Sequence, residues 1–207
     1  MADAAAERVT YVAGLSLGQA SEATGFAVLE KRCPRADVGT PAEAAYAVRH
    51  LARYPPGTPY AAVVAAVAGV FAEPPLRGSV LMIDATAVGR NVYDLFQCGR
   101  TGAAVRGLAV TAGHSAGRDD HGRELVPKKD LVGVLQVLLQ GKRLKVAQGL
   151  DMAATLAEEL QQFRLKTVPL SDNEVEWRER PHDDLVLAVV VAAWQGERGP
   201  GFAVYAF

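Results

Sequence analysis

Ser79–Phe96 reads SVLMIDATAVGRNVYDLF. Ser79 to Ile83 is a continuous apolar run, the mark of a strand buried on both faces of a sheet. Asp84 stands at its end, and Val88 to Gln97 reads as a helix. A buried strand that ends on an acid and turns into a helix is the building unit of an open α/β sheet. In such sheets ligands bind outside the carboxyl ends of the strands. Asp84 is therefore a candidate for chemistry. Asp also favours helix caps and turns, so position alone leaves both roles open.

Upstream, Arg8 to Leu17 is a β-favouring run with Val9, Tyr11 and Val12. Gly18 to Thr24 has the composition of a turn, and Gly25 to Lys31 (GFAVLEK) predicts a second strand, so the two make an antiparallel hairpin. Cys33 to Glu43 carries Pro34, Gly39 and Pro41 and reads as a loop. Ala44 to Arg53 alternates imperfectly and fits a third strand or a short helix. Thr58 is the expected cap of a helix over Tyr60 to Phe71.

Downstream, Ala103 to Thr111 predicts a strand and Gly113 to Glu124 a polar loop. Lys128 to Gln140 places Leu131, Val134, Leu135 and Leu138 at helical spacing, and Gly141 ends it. Leu144 to Ala147 is a brief extended piece, Leu150 to Arg164 an amphipathic helix, and Pro169 to Arg180 polar and turn-like. Leu185 to Trp194 is apolar nearly all round, as in a buried helix. Gly201 to Phe207 is read as a small added strand or a tail. The order predicts an α/β fold: a mixed sheet with an antiparallel hairpin at one side and helices on both faces.

The chain has 207 residues, half of them hydrophobic, and a formal net charge of −1. That length suits one domain with a sizeable core. Near-neutral charge excludes a globally basic, histone-like binder but not a local basic strip. Cys33 and Cys98 are too few for a disulfide framework or a four-Cys zinc site. Met1 to Arg8 lacks the basic-then-apolar pattern of a signal peptide. Leu185 to Trp194 is about half the length that spans a bilayer. A soluble cytoplasmic protein with no membrane partner is expected. There is no G-x-x-x-x-G-K-[ST], no G-x-S-x-G and no H-E-x-x-H.

Carboxylates remain. His182, Asp183 and Asp184 open the buried C-terminal helix, where acids complement the helix dipole. One of them could also face the crevice of Asp84. Converging carboxylates repel unless a cation lies between them, and Mg²⁺ or Mn²⁺ takes oxygen ligands. Two such ions can clamp both oxygens of a phosphodiester exchange. Asp172 to Asp184 holds six acids against two arginines, a local charge of −4. Arg118 to Lys145 holds seven basic residues against four acids, or +3. Such a strip suits phosphate-backbone contacts, and equally an ordinary solvated helix face. His114 and His121 share a polar loop with Asp119 and Asp120, which fits a surface loop better than a metal site.

Taken together, these segments resemble a family. Tyr11–Glu30 (YVAGLSLGQASEATGFAVLE) resembles the opening hairpin of the nuclease domain of phage terminase large subunits, which has the ribonuclease H-like fold. Leu81–Phe96 is similar to that family's D-A-T-G-V-G-type strand and helix. Val126–Ala147 (VPKKDLVGVLQVLLQGKRLKVA) resembles its following helix and short basic strand, and His182–Trp194 (HDDLVLAVVVAAW) its terminal acidic helix. The resemblance runs from Val9 to Trp194 in the family's order.

It implies a two-metal endonuclease that uses Mg²⁺ or Mn²⁺ to cut double-stranded DNA during genome packaging. Its setting would be the bacterial host cytoplasm, alongside other phage packaging proteins. It implies one nuclease-type domain over residues 1–207, without the ATPase motor. By position, Asp84 would be the second metal-binding carboxylate and Asp183 or Asp184 the third. Lys128, Lys129, Lys142, Arg143 and Lys145 would hold the DNA backbone. The family's first-strand acid is here Ser16, in Gly14-Leu15-Ser16-Leu17-Gly18. A hydroxyl is a neutral, weak ligand. Three readings follow: a catalytically lapsed module that binds DNA or protein, substitution by Glu22, or one weakly held metal with slow cutting. Ala87 also replaces the family's usual glycine. A sugar-kinase or actin-like fold shares the opening hairpin, but the chain is about half the usual length for that class and lacks a second hairpin.

Overall fold

The computed structural model describes residues 7–19, 21–34, 43–86, 90–113, 115–120, 122–163 and 183–198. The first hairpin is β1 (Arg8–Ser16) and β2 (Thr24–Cys33), paired antiparallel. Ala45–Tyr54 is a strand, β3, which resolves the choice between strand and helix left open by its pattern. It alternates after all: Tyr46, Val48 and Leu51 are buried, and a bulge at Val28/Leu29 absorbs the phase slip. β4 (Val80–Asp84), β5 (Ala104–Thr111), β6 (Gly117–Arg118), β7 (Glu124–Pro127) and β8 (Leu144–Val146) complete an eight-stranded sheet. Its order is β6-β7-β5-β4-β1-β2-β3-β8. Only β2 and β6 run against the rest, so the carboxyl ends of β1, β3, β4, β5, β7 and β8 gather at one pole.

Helices cover both faces. Alternate residues along each strand divide between them, as the two-residue period of a strand requires. Ala13, Leu15, Val28, Leu81 and Ile83 pack under α1 (Tyr60–Phe71) and α2 (Arg90–Cys98). Val12, Ala27, Leu29, Met82 and Leu108 pack under α3 (Lys128–Gln140), α4 (Ala153–Gln162) and α5 (Asp184–Arg198). α5 is buried from Asp184 to Gly196, because the sheet lies beneath it and α3 and α4 flank it. Gly14 permits that burial: a Cβ there would stand 2.0 Å from the Ala188 carbonyl oxygen and 2.7 Å from the Ala192 nitrogen.

Three local expectations are corrected. Thr58 does not cap α1. Its Oγ1 donates to the Pro55 carbonyl at 2.7 Å and closes a turn, while Pro59 occupies the cap position without a side-chain bond. The segment read as a loop over Gly113 to Glu124 contains β6 and leads into β7, whose parallel pairing with β5 is non-local and leaves no local periodicity to read. The helix expected from Leu150 begins at Ala153, because Met152 has a left-handed φ of 68° and breaks the preceding turn. Residues 164–182 and 199–207, which include the expected polar turn and C-terminal strand or tail, lie outside the described residues. Among the described residues no helix is long and apolar enough to cross a membrane.

Candidate active site

One row of the sheet organises the carboxyl pole. Ser16 pairs with Gly25 on one side and with Asp84 on the other, Gly25 pairs with Arg53, and Asp84 with Leu108. Residues opposite one another in register share a face. Ser16 lies two residues beyond Gly14 and Asp84 two beyond Met82, so this row faces α5. The start of α5 rests on it: a Cβ on Gly25 would stand 2.1 Å from the Asp184 carbonyl oxygen. Strand spacing of about 4.8 Å places Ser16 one step and Asp84 two steps, roughly 10 Å, from that contact. Ser16, Asp84 and Asp184 are therefore brought to one end and one face of the sheet, and all three are buried, Ser16 completely.

Asp84 is held by the turn that follows it. Its Oδ1 accepts the Thr86 amide at 3.0 Å and the Thr86 hydroxyl at 2.5 Å, and the Thr86 Oγ1 accepts the Val110 amide at 2.8 Å. This is the turn chemistry expected of Asp at the carboxyl end of a strand.

Two residues that the sequence reading missed complete the pole. Arg53 Nε donates to Asp184 Oδ2 at 2.8 Å, and its Nη2 bonds Glu159 Oε1. Glu159 Oε2 accepts the Leu185 and Val186 amides, each at 3.1 Å. A carboxylate on α4 thus satisfies two of the free N–H groups at the start of α5. The Glu159 carboxyl is pushed up to about 7, mainly by burial with help from the nearby charges of Asp184 and Asp183, against the Val186 amide and Arg53, which pull it down. A signal for both residues exists in the sequence. Arg53 follows buried Leu51 at strand spacing, and Glu159 follows buried Leu156 at helical spacing, so each is a charge on an apolar stripe.

Asp184 is only half satisfied. Its Oδ1 is buried and has no hydrogen-bond partner among the described residues. Asp183 is half-buried just ahead of α5, and its carbonyl accepts the Leu187 amide at 2.9 Å. Glu22 lies in the β1–β2 turn, where its Oε2 accepts the Gln19 amide at 3.3 Å. Among the described residues no three His, Cys, Asp or Glu side chains form a cluster able to hold a metal ion. His114, His121, His182 and Ala87 lie outside the described residues.

The expected basic strip is divided. Lys128 and Lys129 open α3 at the Asp84 pole, directly after Pro127 of β7. Lys142, Arg143 and Lys145 lie beyond the far end of that helix, about 20 Å away at 1.5 Å per residue, beside the amino end of β3. Lys142 and Lys145 are exposed there. Arg143 is a tie: its Nε donates to the Ala44 carbonyl at 2.7 Å and its Nη2 to both Glu197 oxygens at 2.8 and 2.9 Å.

A mixed sheet of this order, with an antiparallel opening hairpin and helices on both faces, is the ribonuclease H-like fold. The chain is similar to the crystal structure of the large terminase nuclease from thermophilic phage G20c with bound zinc. They share 18% identity over 90% of this chain and 81% of that one, with a TM-score of 0.56. No family model and no curated protein matches the sequence. The likeness is one of fold.

Proposed function

We propose that this chain is a terminase-nuclease-like, metal-dependent DNA endonuclease with a weakened metal site. Asp84 and Asp184 supply its charged oxygens and Ser16 a neutral one. The observation that carries this reading is Asp184 Oδ1, a buried carboxylate oxygen with no hydrogen-bond partner among the described residues. Such an oxygen is costly to bury unless something answers its charge. Hard cations take oxygen donors of this kind, and the zinc in the similar terminase nuclease supports a divalent ion on this fold. The donor set fits one Mg²⁺ or Mn²⁺ better than two: Ser16 brings no charge, and Arg53 already opposes Asp184.

When bound, a divalent cation supplies a water of lowered pKa and polarises the phosphodiester. The protein's own residues do the positioning. The Thr86 bonds fix the Asp84 carboxylate, and Arg53 with Glu159 holds the start of α5 over the sheet. Lys128 and Lys129, at the same pole, would hold backbone phosphates without reading sequence. Double-stranded DNA in a phage packaging setting, with other packaging proteins, is the context this reading favours.

The test is Mn²⁺ binding by thermal shift, together with nicking of supercoiled plasmid. Wild type should gain stability with Mn²⁺ and nick, and Asp84→Asn and Asp184→Asn should lose both. No Mn²⁺ effect in wild type, or nicking unchanged in Asp84→Asn, overturns the reading. A second reading is a non-catalytic DNA- or protein-binding module. It is favoured by the Arg53–Asp184 pair, in which a built-in cation already answers the charge of that carboxylate, and it expects association without cleavage.

A further inference from the structure

A cleft of about 670 Å³ opens at the pole opposite Asp84. Among the described residues it is lined by Arg8, Lys31, Arg77 and Arg106, by Gln195 near the end of α5, and by no carboxylate. The chain as a whole has a net charge of −1, so four cations without an acid among the described lining residues is a local concentration that its composition does not require. Like charges gathered this way repel unless an anion joins them.

Two of the four cations already have partners. Lys31 Nζ donates to the Gly196 carbonyl and Arg77 Nε to the Ala72 carbonyl, each near a helix carboxyl end. Arg8 and Arg106 are exposed, and their side chains make no hydrogen bond or ion pair among the described residues. The backbone between them is also open. β4 begins at Val80, level with Val12, so Arg8–Tyr11 of β1 has no strand on that side among the described residues, and its outward peptide groups line the cleft.

Spacing decides the kind of anion. Val12, Val80 and Ala104 are level; Arg8 precedes Val12 by four residues and Arg106 follows Ala104 by two. Six steps of about 3.3 Å and two strand spacings put their Cα atoms roughly 20 Å apart. A single phosphate would need both arginines fully extended toward each other to meet it, whereas a chain of phosphates spans the distance along its own length. Guanidinium groups match phosphate oxygens in a two-pronged geometry. Val9, 45% exposed, and Tyr11 add apolar surface on which a base can rest.

The geometry points to a second phosphate site: this cleft holds the sugar–phosphate backbone of a single nucleic-acid strand, with Arg8 and Arg106 gripping its two ends. It needs no metal and no cleavage at Asp84.

The test is fluorescence anisotropy with labelled penta-deoxythymidylate in EDTA, which separates it from any test of the metal site. Arg8→Gln/Arg106→Gln should weaken binding at least tenfold. It should also reduce the slope of log K against log salt by about 1.4, two contacts at roughly 0.7 each. Arg32→Gln/Arg49→Gln removes the same charge from two arginines that Glu30 already engages and that lie outside the cleft lining, and it should change affinity less than twofold. Equal losses in the two double variants would mean that net charge alone acts, and no loss in the arginine pair would mean that the cleft is idle; either overturns the proposal. Sodium tripolyphosphate that competes as tightly as the pentamer also overturns it, in favour of a small polyphosphate ligand.

Discussion

Arg53 Nε donates a 2.8 Å hydrogen bond to Asp184 Oδ2 while the same guanidinium bonds Glu159, so one strand cation ties α4 and α5 to the sheet. Removing it leaves two buried carboxylates without their cation. Arg53→Ala is expected to lower stability by about 3–5 kcal/mol, read from the denaturant midpoint. Arg53→Lys keeps the charge but not the fork and should recover less than half of that loss. Mn²⁺ should restore part of the stability of Arg53→Ala if Asp184 takes a cation. Absence of any Mn²⁺ effect in this variant favours the non-catalytic reading.

Gly25 separates the stability of the fold from the geometry of the pole. An added Cβ would meet the Asp184 carbonyl oxygen at 2.1 Å, at the very start of α5. At Gly14 it would meet the middle of the same helix. Both Gly→Ala changes should cost about 3 kcal/mol through overpacking against backbone that cannot yield. Only Gly25→Ala should also weaken Mn²⁺ binding, because it lifts Asp184 from the row that holds Ser16 and Asp84. Equal metal affinity in the two variants would count against Asp184 as a ligand.

The difference between those glycines also shows what the sequence made legible. β1, β2, β4 and α5 are visible in one dimension, because their apolar runs and turn residues are local. Asp84 and Asp184 are visible because acids at the ends of apolar elements stand out. What anchors Asp184 is not local. Arg53 reaches Asp184 across 131 positions and Glu159 across 106, and no periodicity encodes a partner at that distance. The basic strip is divided for the same reason: residues close in sequence at either end of α3 are separated by the length of the helix. β7 was hidden because its pairing with β5 lies outside its own segment.

His50 gives the pH dependence a sign. Its ring meets Phe26 edge-on, with centroids 5.6 Å apart, and burial lowers its pKa below the usual 6.5. Below pH 6.5 the unfolded chain binds a proton that the folded chain resists. Stability therefore falls as pH drops from about 6.5 toward the folded value, and this contribution is complete above 6.5. His50→Leu should flatten the Tm profile between pH 5 and 7. An unchanged slope would place the acid sensitivity in another group.

Ser16→Asp tests the departure on which activity turns. Ser16 is fully buried and level with Asp84 on the neighbouring strand. A second carboxylate there repels the first in a low-dielectric setting, so without metal the variant should be less stable than wild type by several kcal/mol. The same repulsion is what a divalent cation relieves. Mn²⁺ should therefore raise the Tm of Ser16→Asp more than that of wild type, and at a hundredfold excess over Kd the gain is about 2.7 kcal/mol. The comparison of interest is the metal-induced shift and not the starting Tm, since only the shift reports ligation. A larger shift with plasmid nicking identifies Ser16 as the lesion in an otherwise intact site. A larger shift without nicking means that the Arg53–Asp184 pair still excludes chemistry, and Arg53→Gln in the same background is the next variant. No larger shift means that Ser16 does not face the cation, and the shared row of Ser16, Gly25 and Asp84 is then only structural.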